Sequence, residues 1–458
     1  MKKTGIILIL LLYLVHIFSP VALAAGESEG CSTLQAGQAL AGSEAYTGTA
    51  KAAILYEMNS QTLVLAHNPD AKINPTGLVK LMTALIVLEQ GNQDDVVTVK
   101  QSVLNMVSAG AKRIGLKSKD QLTVRDLLYC VMVSSANDAA VVLADHIAGS
   151  QSAFVDMMNA KAATLGCTNT HFADVNGLED DRQRSTAREL AIITQEAVQN
   201  PQFMELFGAV NYQLPATVSC SRDLTSTNSM MNPEKSQYDA RVTGGKPSAA
   251  GTYDRSMVCT AETETARYLC VVISVSDKKS NYSGTFQEVK DLLDLGFDGY
   301  AFQQVVGTEQ PFGMYPVSGG ENHVVVGPDR EVFAMLPLQF DQTQLQFRDV
   351  RNEQRLTAPL AAGTAVGTLQ IWYGSILIGQ VDLLAQHDVA AFGTTIQAHS
   401  DHSAGSGLFG QILKWTAIVL VSLLILAAAG LLILRSVNLR RHQQRRRRPA
   451  AAEERKEV

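Results

Sequence analysis

With 458 residues, 46% hydrophobic and 18% charged, the chain has globular composition and room for two or three domains. Lys and Arg total 38 against 44 Asp and Glu, but two of the basic residues lie in the first 24 positions and nine follow Leu434. The stretch between keeps 27 basic against 41 acidic residues, an excess of 14 negative charges that argues against a nucleic-acid partner.

At the start, Lys2 and Lys3 precede the apolar run "GIILILLLYLV", and "ALAAG" supplies small residues for cleavage after Ala24. Residues 1–24 therefore read as a secretory signal peptide. Residues 25–48 are rich in Gly, Ser and Ala and read as a loose lead-in. "AAILYEMNSQTLVLAHN" predicts a hairpin turning near Asn59-Ser60. Helical spacing then dominates from 78 to about 200, beginning with Leu78, Leu81, Leu85 and Leu88 on one face. Further helices are expected in "TVRDLLYCVMVSSANDAAVVLADHIAG" and in "SAFVDMMNAKAATLG", which stops on a Gly. "TARELAIITQEAV" opens with Thr186 and Glu189 at capping-box spacing. From Arg241, "ARVTGG", "DRSMVCTA" and "RYLCVVISVS" return to strand. Strands on either side of a helical block define an α+β domain over 49–302, with an antiparallel sheet that joins the early and late parts of the chain.

Short alternating runs over 303–390, the last turning at Gly374-Ser375, predict a small all-β domain. Residues 391–410 form a polar linker. Within 411–434, "WTAIVLVSLLILAAAGLLIL" gives 20 uncharged residues (415–434), enough for a transmembrane helix. The basic tail 435–458 marks its side of the membrane as cytoplasmic. The expectation is a single-pass cell-membrane protein whose body is extracytoplasmic. The tail's Arg cluster acts either as a stop-transfer signal alone or also on anionic headgroups.

Cysteines 31, 130, 167, 220, 259 and 270 show no zinc spacing. Cys259 and Cys270 flank "TAETETARYL", so a turn centred on Glu264-Thr265 would set them opposite each other as a disulfide or as buried thiols. His399, Asp401 and His402 ("HSDH") lie in the linker and read as a polar stretch. No metal or cofactor is expected.

Two short patterns bear chemistry. In "NPTGLVKLMTA", Gly77 and Lys80 sit three apart on one face of a first helical turn. A serine at 77 would complete S-x-x-K, a nucleophilic hydroxyl with a lysine partner. In "VSSANDAA", Ser135 and Asn137 place a hydroxyl and an amide two residues apart. Alone this is a turn or helix cap; with Lys80 it forms an S-x-N element.

These segments resemble the low-molecular-mass penicillin-binding proteins, the serine-type D-alanyl-D-alanine carboxypeptidases. "INPTGLVKLMTALIVLE" is similar to the family's S-x-x-K segment, and "LTVRDLLYCVMVSSANDAAVVLADHIAGS" to the one bearing S-x-N. "NTHFADVNGLED" with "STAREL" and "VTGGKPSAAG" match two further stretches. "APLAAGTAVGTLQIWYGSILIGQVDLLAQHDV" is similar to the C-terminal β domain. The resemblance implies a serine that attacks the penultimate D-Ala carbonyl and a K-T-G strand that helps hold the terminal carboxylate. Lys80, Ser135 and Asn137 stand where it places the lysine, second serine and asparagine. Gly77 stands at the nucleophile position, and K-T-G falls on Thr243-Gly244-Gly245, with the strand's cation absent. Arg241, two residues earlier, is a candidate replacement by strand alternation.

The expected function is that of an exported carboxypeptidase homologue, a pseudoenzyme that binds a peptidoglycan stem peptide or a cell-wall synthesis protein. Two alternatives stand beside it. One is an active carboxypeptidase using Thr76, i,i+4 from Lys80; the other is a scaffold working through its β domain and span.

Overall fold

The computed structural model describes Leu34 and residues 37–392, apart from 43–44, 179–180, 216–217, 220–222, 251–253, 277–281, 310, 321–322 and 352–354. The expected signal peptide, transmembrane helix, basic tail, "HSDH" stretch, Cys31 and Cys220 lie outside these residues. Among the described helices, none is long and apolar enough to cross a membrane.

The first domain is built on five antiparallel strands: β1 (Ala52–Glu57), β2 (Thr62–His67), β3 (Val242–Ala250), β4 (Asp254–Glu262) and β5 (Arg267–Ser276). Their order across the sheet is β2-β1-β5-β4-β3. The expected joining of early and late chain is the β1–β5 pairing, Ala52 opposite Ile273 through Glu57 opposite Tyr268. At one end the buried Glu57 carboxylate accepts from the backbone N–H groups of Ser60 (2.6 Å) and Arg267 (2.9 Å), tying both hairpin turns together.

One sheet face carries the helical block α1 (Val79–Gln90), α2 (Val124–Met132), α3 (Asn137–Ala148), α4 (Gln151–Thr164) and α5 (Ala187–Ala197). The other face carries α6 (Ser283–Gly299). Helix starts follow local chemistry. Thr123 and Asp126 form a reciprocal capping box at α2. At α5 only half of the expected box forms. Thr186 Oγ1 accepts from Glu189 N (3.1 Å), while the Glu189 carboxylate turns to Asn169 N (2.8 Å) and Thr170 Oγ1. Helix α4 ends at Gly166, whose φ of +76° needs no Cβ.

One expectation needs correction, and one open alternative is decided. The lead-in is docked where the chain is described: Leu40 and Ala41 N–H groups donate to Leu63 and Val64 carbonyls on the edge strand β2, and Leu34 is fully buried. Pairing a sheet edge satisfies groups that would otherwise stay open. Cys259 and Cys270 do stand opposite each other in the β4–β5 register, but as free buried thiols. Directly opposed antiparallel residues hold their Cβ atoms ~4.5–5.5 Å apart, wider than the ~3.8 Å of a disulfide.

After α6 the chain enters the β-rich part: β6 (Tyr300–Val306), β7 (Gly313–Pro316), β8 (His323–Pro328), β9 (Val332–Pro337), β10 (Leu345–Arg351), β11 (Ala365–Tyr373) and β12 (Ile376–Ala385). Strands β6 and β9 pair, and the other five form a sheet in the order β7-β8-β12-β11-β10. The tight turn falls on Gly374-Ser375 between Tyr373 and Ile376, as expected from sequence. Val324, Val326, Leu369, Ile371 and Leu383 fill this domain's own core.

Candidate active site

The site lies where the start of α1, the break between α2 and α3, and the edge strand β3 meet. A single 3-10 turn, Thr76–Leu78, leads into α1 and puts Lys80 in its first helical turn. Helix α2 stops at Met132, and Ser135 adopts φ +56° before α3 restarts at Asn137. That reversal splits the long apolar run into two helices, bringing Asn137 onto Lys80 and Ser135 Oγ near Gly77.

Lys80 is 2% exposed, and its ammonium donates to Asn137 Oδ1 (2.8 Å) and to the Asn176 carbonyl. Asn137 is held in turn: its Nδ2 (2.9 Å) and its backbone N–H (3.0 Å) both donate to the Lys112 carbonyl. Burial pulls Lys80 down to about 7, with the Asp174 carboxylate opposing the shift and Lys112 adding to it. The Asp174 carboxylate accepts from the N–H groups of Asn176, Gly177 and Leu178, so the loop that bears it is folded around it. Gly177 lets that loop lie against the 76–77 backbone. Its φ is +77°, and a Cβ there would sit 1.8 Å from the Thr76 carbonyl oxygen.

Gly77 sits where these groups converge. A Cβ built on it points at Ser248 Oγ (2.9 Å) and Ser135 Oγ (3.8 Å). The side chain expected for a nucleophile would thus aim into the cleft, and this chain supplies no oxygen there. Thr76 has φ +47°, an outlying conformation for a β-branched residue, and its hydroxyl bonds Ser248 Oγ at 2.7 Å. Its partner is thus on the strand, and no bond from it to Lys80 is formed.

The strand side differs from the expectation. Along β3, the residues facing the helical block are Gly244, which lies against Phe207, then Lys246 and Ser248. Lys246 is fully enclosed and donates to the Met132 carbonyl (3.2 Å) at the end of α2. Burial, with Lys80 and Lys112 nearby, holds its pKa well below the ordinary lysine value. The cation missing from Thr243-Gly244-Gly245 is therefore present three residues later, in Lys246-Pro247-Ser248. Thr243 bonds Thr260 Oγ1 (2.9 Å), and Gly245 faces the opposite side against Asn228 and Met257.

Arg241 is not at the cleft. Its guanidinium pairs with Asp239 (2.6 Å) and with Asp294 on α6 (2.6 Å) and lies over the Phe297 ring. Alternation from Thr243 fails as a guide because Thr243 itself does not face the cleft and Arg241 lies in the turn before β3, which begins at Val242. A strict two-residue count carried on from Gly244 would have found Lys246 and Ser248.

The structure thus brings together Thr76, Gly77, Lys80, Ser135 and Asn137 with Lys246 and Ser248. It leaves out Arg241, Thr243 and Gly245, and among the described residues no group of His, Cys, Asp and Glu is placed to hold a metal. A buried lysine beside a hydroxyl and an amide, facing a second buried lysine on an edge strand, is the layout of a serine acyl-transfer site. Here it lacks the serine at the helix start.

Comparison with known proteins gives the same class. Residues 39–277 match the D-alanyl-D-alanine carboxypeptidase family and residues 306–391 match the penicillin-binding protein 5 C-terminal domain. The chain belongs to the D-alanyl-D-alanine carboxypeptidase family. It is 28% identical over 383 residues to the D-alanyl-D-alanine carboxypeptidase DacA of Haemophilus influenzae, covering 82% of this chain and 90% of the relative. It is 28% identical over 334 residues to the Escherichia coli carboxypeptidase DacD, covering 70% and 81%. The crystal structure of penicillin binding protein 5 from Haemophilus influenzae superposes with a TM-score of 0.58 at 27% identity, covering 75% of this chain and 98% of that one.

Proposed function

We propose that this protein is an exported, membrane-anchored carboxypeptidase homologue that binds D-Ala-terminated peptidoglycan stem peptides without cleaving them. It would act in the cell wall as a receptor or as a regulator of a wall-synthesis protein. The observation that carries this reading is Gly77. The position whose Cβ vector enters the cleft has no hydroxyl, while Lys80, Ser135, Asn137 and Lys246 are held around it. Deleting the nucleophile of a serine hydrolase costs on the order of 10⁶ in kcat, about 8 kcal/mol of barrier. The anchoring half of the reading is supported by the leader at 1–24, the 20 uncharged residues at 415–434 and the basic tail.

Lys246 supports a receptor role, since its amine on the strand wall can donate to the peptide's terminal carboxylate. Turnover through Thr76 is disfavoured by its hydrogen bond to Ser248 and by its rigid backbone setting. The test is to incubate the protein with labelled penicillin, weigh it intact, and titrate it with stem peptide by calorimetry. Unchanged mass with saturable peptide binding is expected. A one-drug mass gain would overturn the inactive reading, and an absence of binding would overturn the receptor.

A further inference from the structure

The geometry points to Gly77 and Ser248 as a matched pair: the Ser248 hydroxyl on the facing strand stands in the space of the absent nucleophile and closes the cleft to acyl transfer. This rests on the family reading of the site and deepens it, because it names a second residue that keeps the cleft from acylation.

Three observations meet at one point. The Cβ direction at Gly77 leads within 2.9 Å of Ser248 Oγ, closer than real Cβ contacts come, whereas Ser248 Cβ lies at an ordinary 3.7 Å. Only the hydroxyl is therefore in conflict with a side chain at 77. That hydroxyl is fixed, since Ser248 is 5% exposed and bonds Thr76 Oγ1 at 2.7 Å. Thr76 is itself locked, with φ +47° and the Gly177 loop packed on its carbonyl. Swinging Ser248 away to admit a residue at 77 would break a buried hydroxyl pair and leave Thr76 without this partner.

The swap has a chemical consequence. In an intact site, a serine at 77 would attack the carbonyl carbon of an acyl donor. With a β-lactam, the Oγ–C bond forms, the ring C–N bond opens, and the hydroxyl proton ends on the ring nitrogen. Ser248 Oγ occupies the neighbourhood through which that Oγ and the acyl carbon must approach. Restoring the serine alone would place the new hydroxyl off its line of attack, and a displacement near 1 Å costs roughly 100-fold in rate.

The test uses the variants Gly77→Ser, Ser248→Ala and the double change, all in the full chain. Labelled penicillin should acylate Gly77→Ser/Ser248→Ala roughly ten- to a hundredfold faster than Gly77→Ser, with the adduct mapping to position 77. Equal rates in the two, no adduct in either, or an adduct on Ser248 of the unmodified protein would each overturn the pairing. A melting series checks it without any chemistry. Ser248→Ala should lower Tm when residue 77 is Gly, because the Thr76 bond is lost, and raise Tm when it is Ser, because the clash is relieved. The same change in both backgrounds would overturn the inference. If the protein proves not to bind stem peptides but the sign reversal appears, the receptor reading falls and the pairing stands.

Discussion

The helical wall of the cleft and its strand wall are held in place differently. On the helical wall, Lys80, Asn137 and the Lys112 carbonyl form a chain of bonds in which each group fixes the next. Losing any one would leave a buried polar atom unpaired, at a cost of about 1–3 kcal/mol. On the strand wall, Pro247 and Ser248 follow the lysine, and the described partners of Ser248 are a threonine hydroxyl and the edge ladder of β3. The comparison separates a network of several linked polar groups from a wall whose polar side chains each hold one partner across the cleft.

The largest expected effect breaks the helical wall. Gly177→Ala should destabilise the protein by roughly 3 kcal/mol or more, since both its positive φ and the Thr76 carbonyl forbid a Cβ. Chemical denaturation measures it, and a loss under about 1 kcal/mol would show that the loop can shift aside. Next, Lys246→Met should weaken stem-peptide binding roughly ten- to a hundredfold with little loss of stability, the range of one charge-assisted bond. Calorimetry would decide this, and unchanged affinity would move the carboxylate site elsewhere.

A pH effect sharpens the contrast. Burial places Lys80 at about 7 in the folded protein, against about 10.4 in an unfolded chain. Between these values the unfolded chain keeps a proton that the folded chain has released. Stability should therefore rise as pH increases from about 7 towards 10. Lys246, depressed in the same direction, adds to the rise. Melting curves across that range should be less steep in pH for Lys80→Met; an identical slope would remove Lys80 as the cause. The smallest effect is expected at Arg241→Ala. Losing its pairs with Asp239 and Asp294 should cost roughly 1 kcal/mol, with peptide affinity unchanged, and weaker binding would bring Arg241 back to the cleft.

These residues also show what could be read from the chain alone. Gly77, Lys80, Ser135 and Asn137 were legible because each pair lies within one helical turn or one turn of loop, where spacing fixes geometry. The sequence sets the K-T-G position three residues early, at Thr243-Gly244-Gly245, and so reads as absent a cation that Lys246 supplies. Which strand residues meet the helices is set by pairing with β4, not by local sequence. Ser248 meets Thr76 across 172 residues, a contact that no window along the sequence contains. The half-formed cap at Thr186 failed for the same reason, since Glu189 found distant partners at Asn169 and Thr170.

The central pairing of β1 with β5 sets the order in which this molecule can be assembled. Arg267 donates to Glu57 from 210 positions further along the chain, so the sheet cannot close until nearly the whole first domain has been made. Contacts of such long range are slow to form, whereas α1 to α5 can gather from neighbours. Strand β3, with Lys246 and Ser248, reaches β1 only through β4 and β5, so the strand wall of the cleft depends on that long-range closure. A fragment ending before Val242 would carry the helical wall without Lys246 and Ser248 and have no complete cleft to offer.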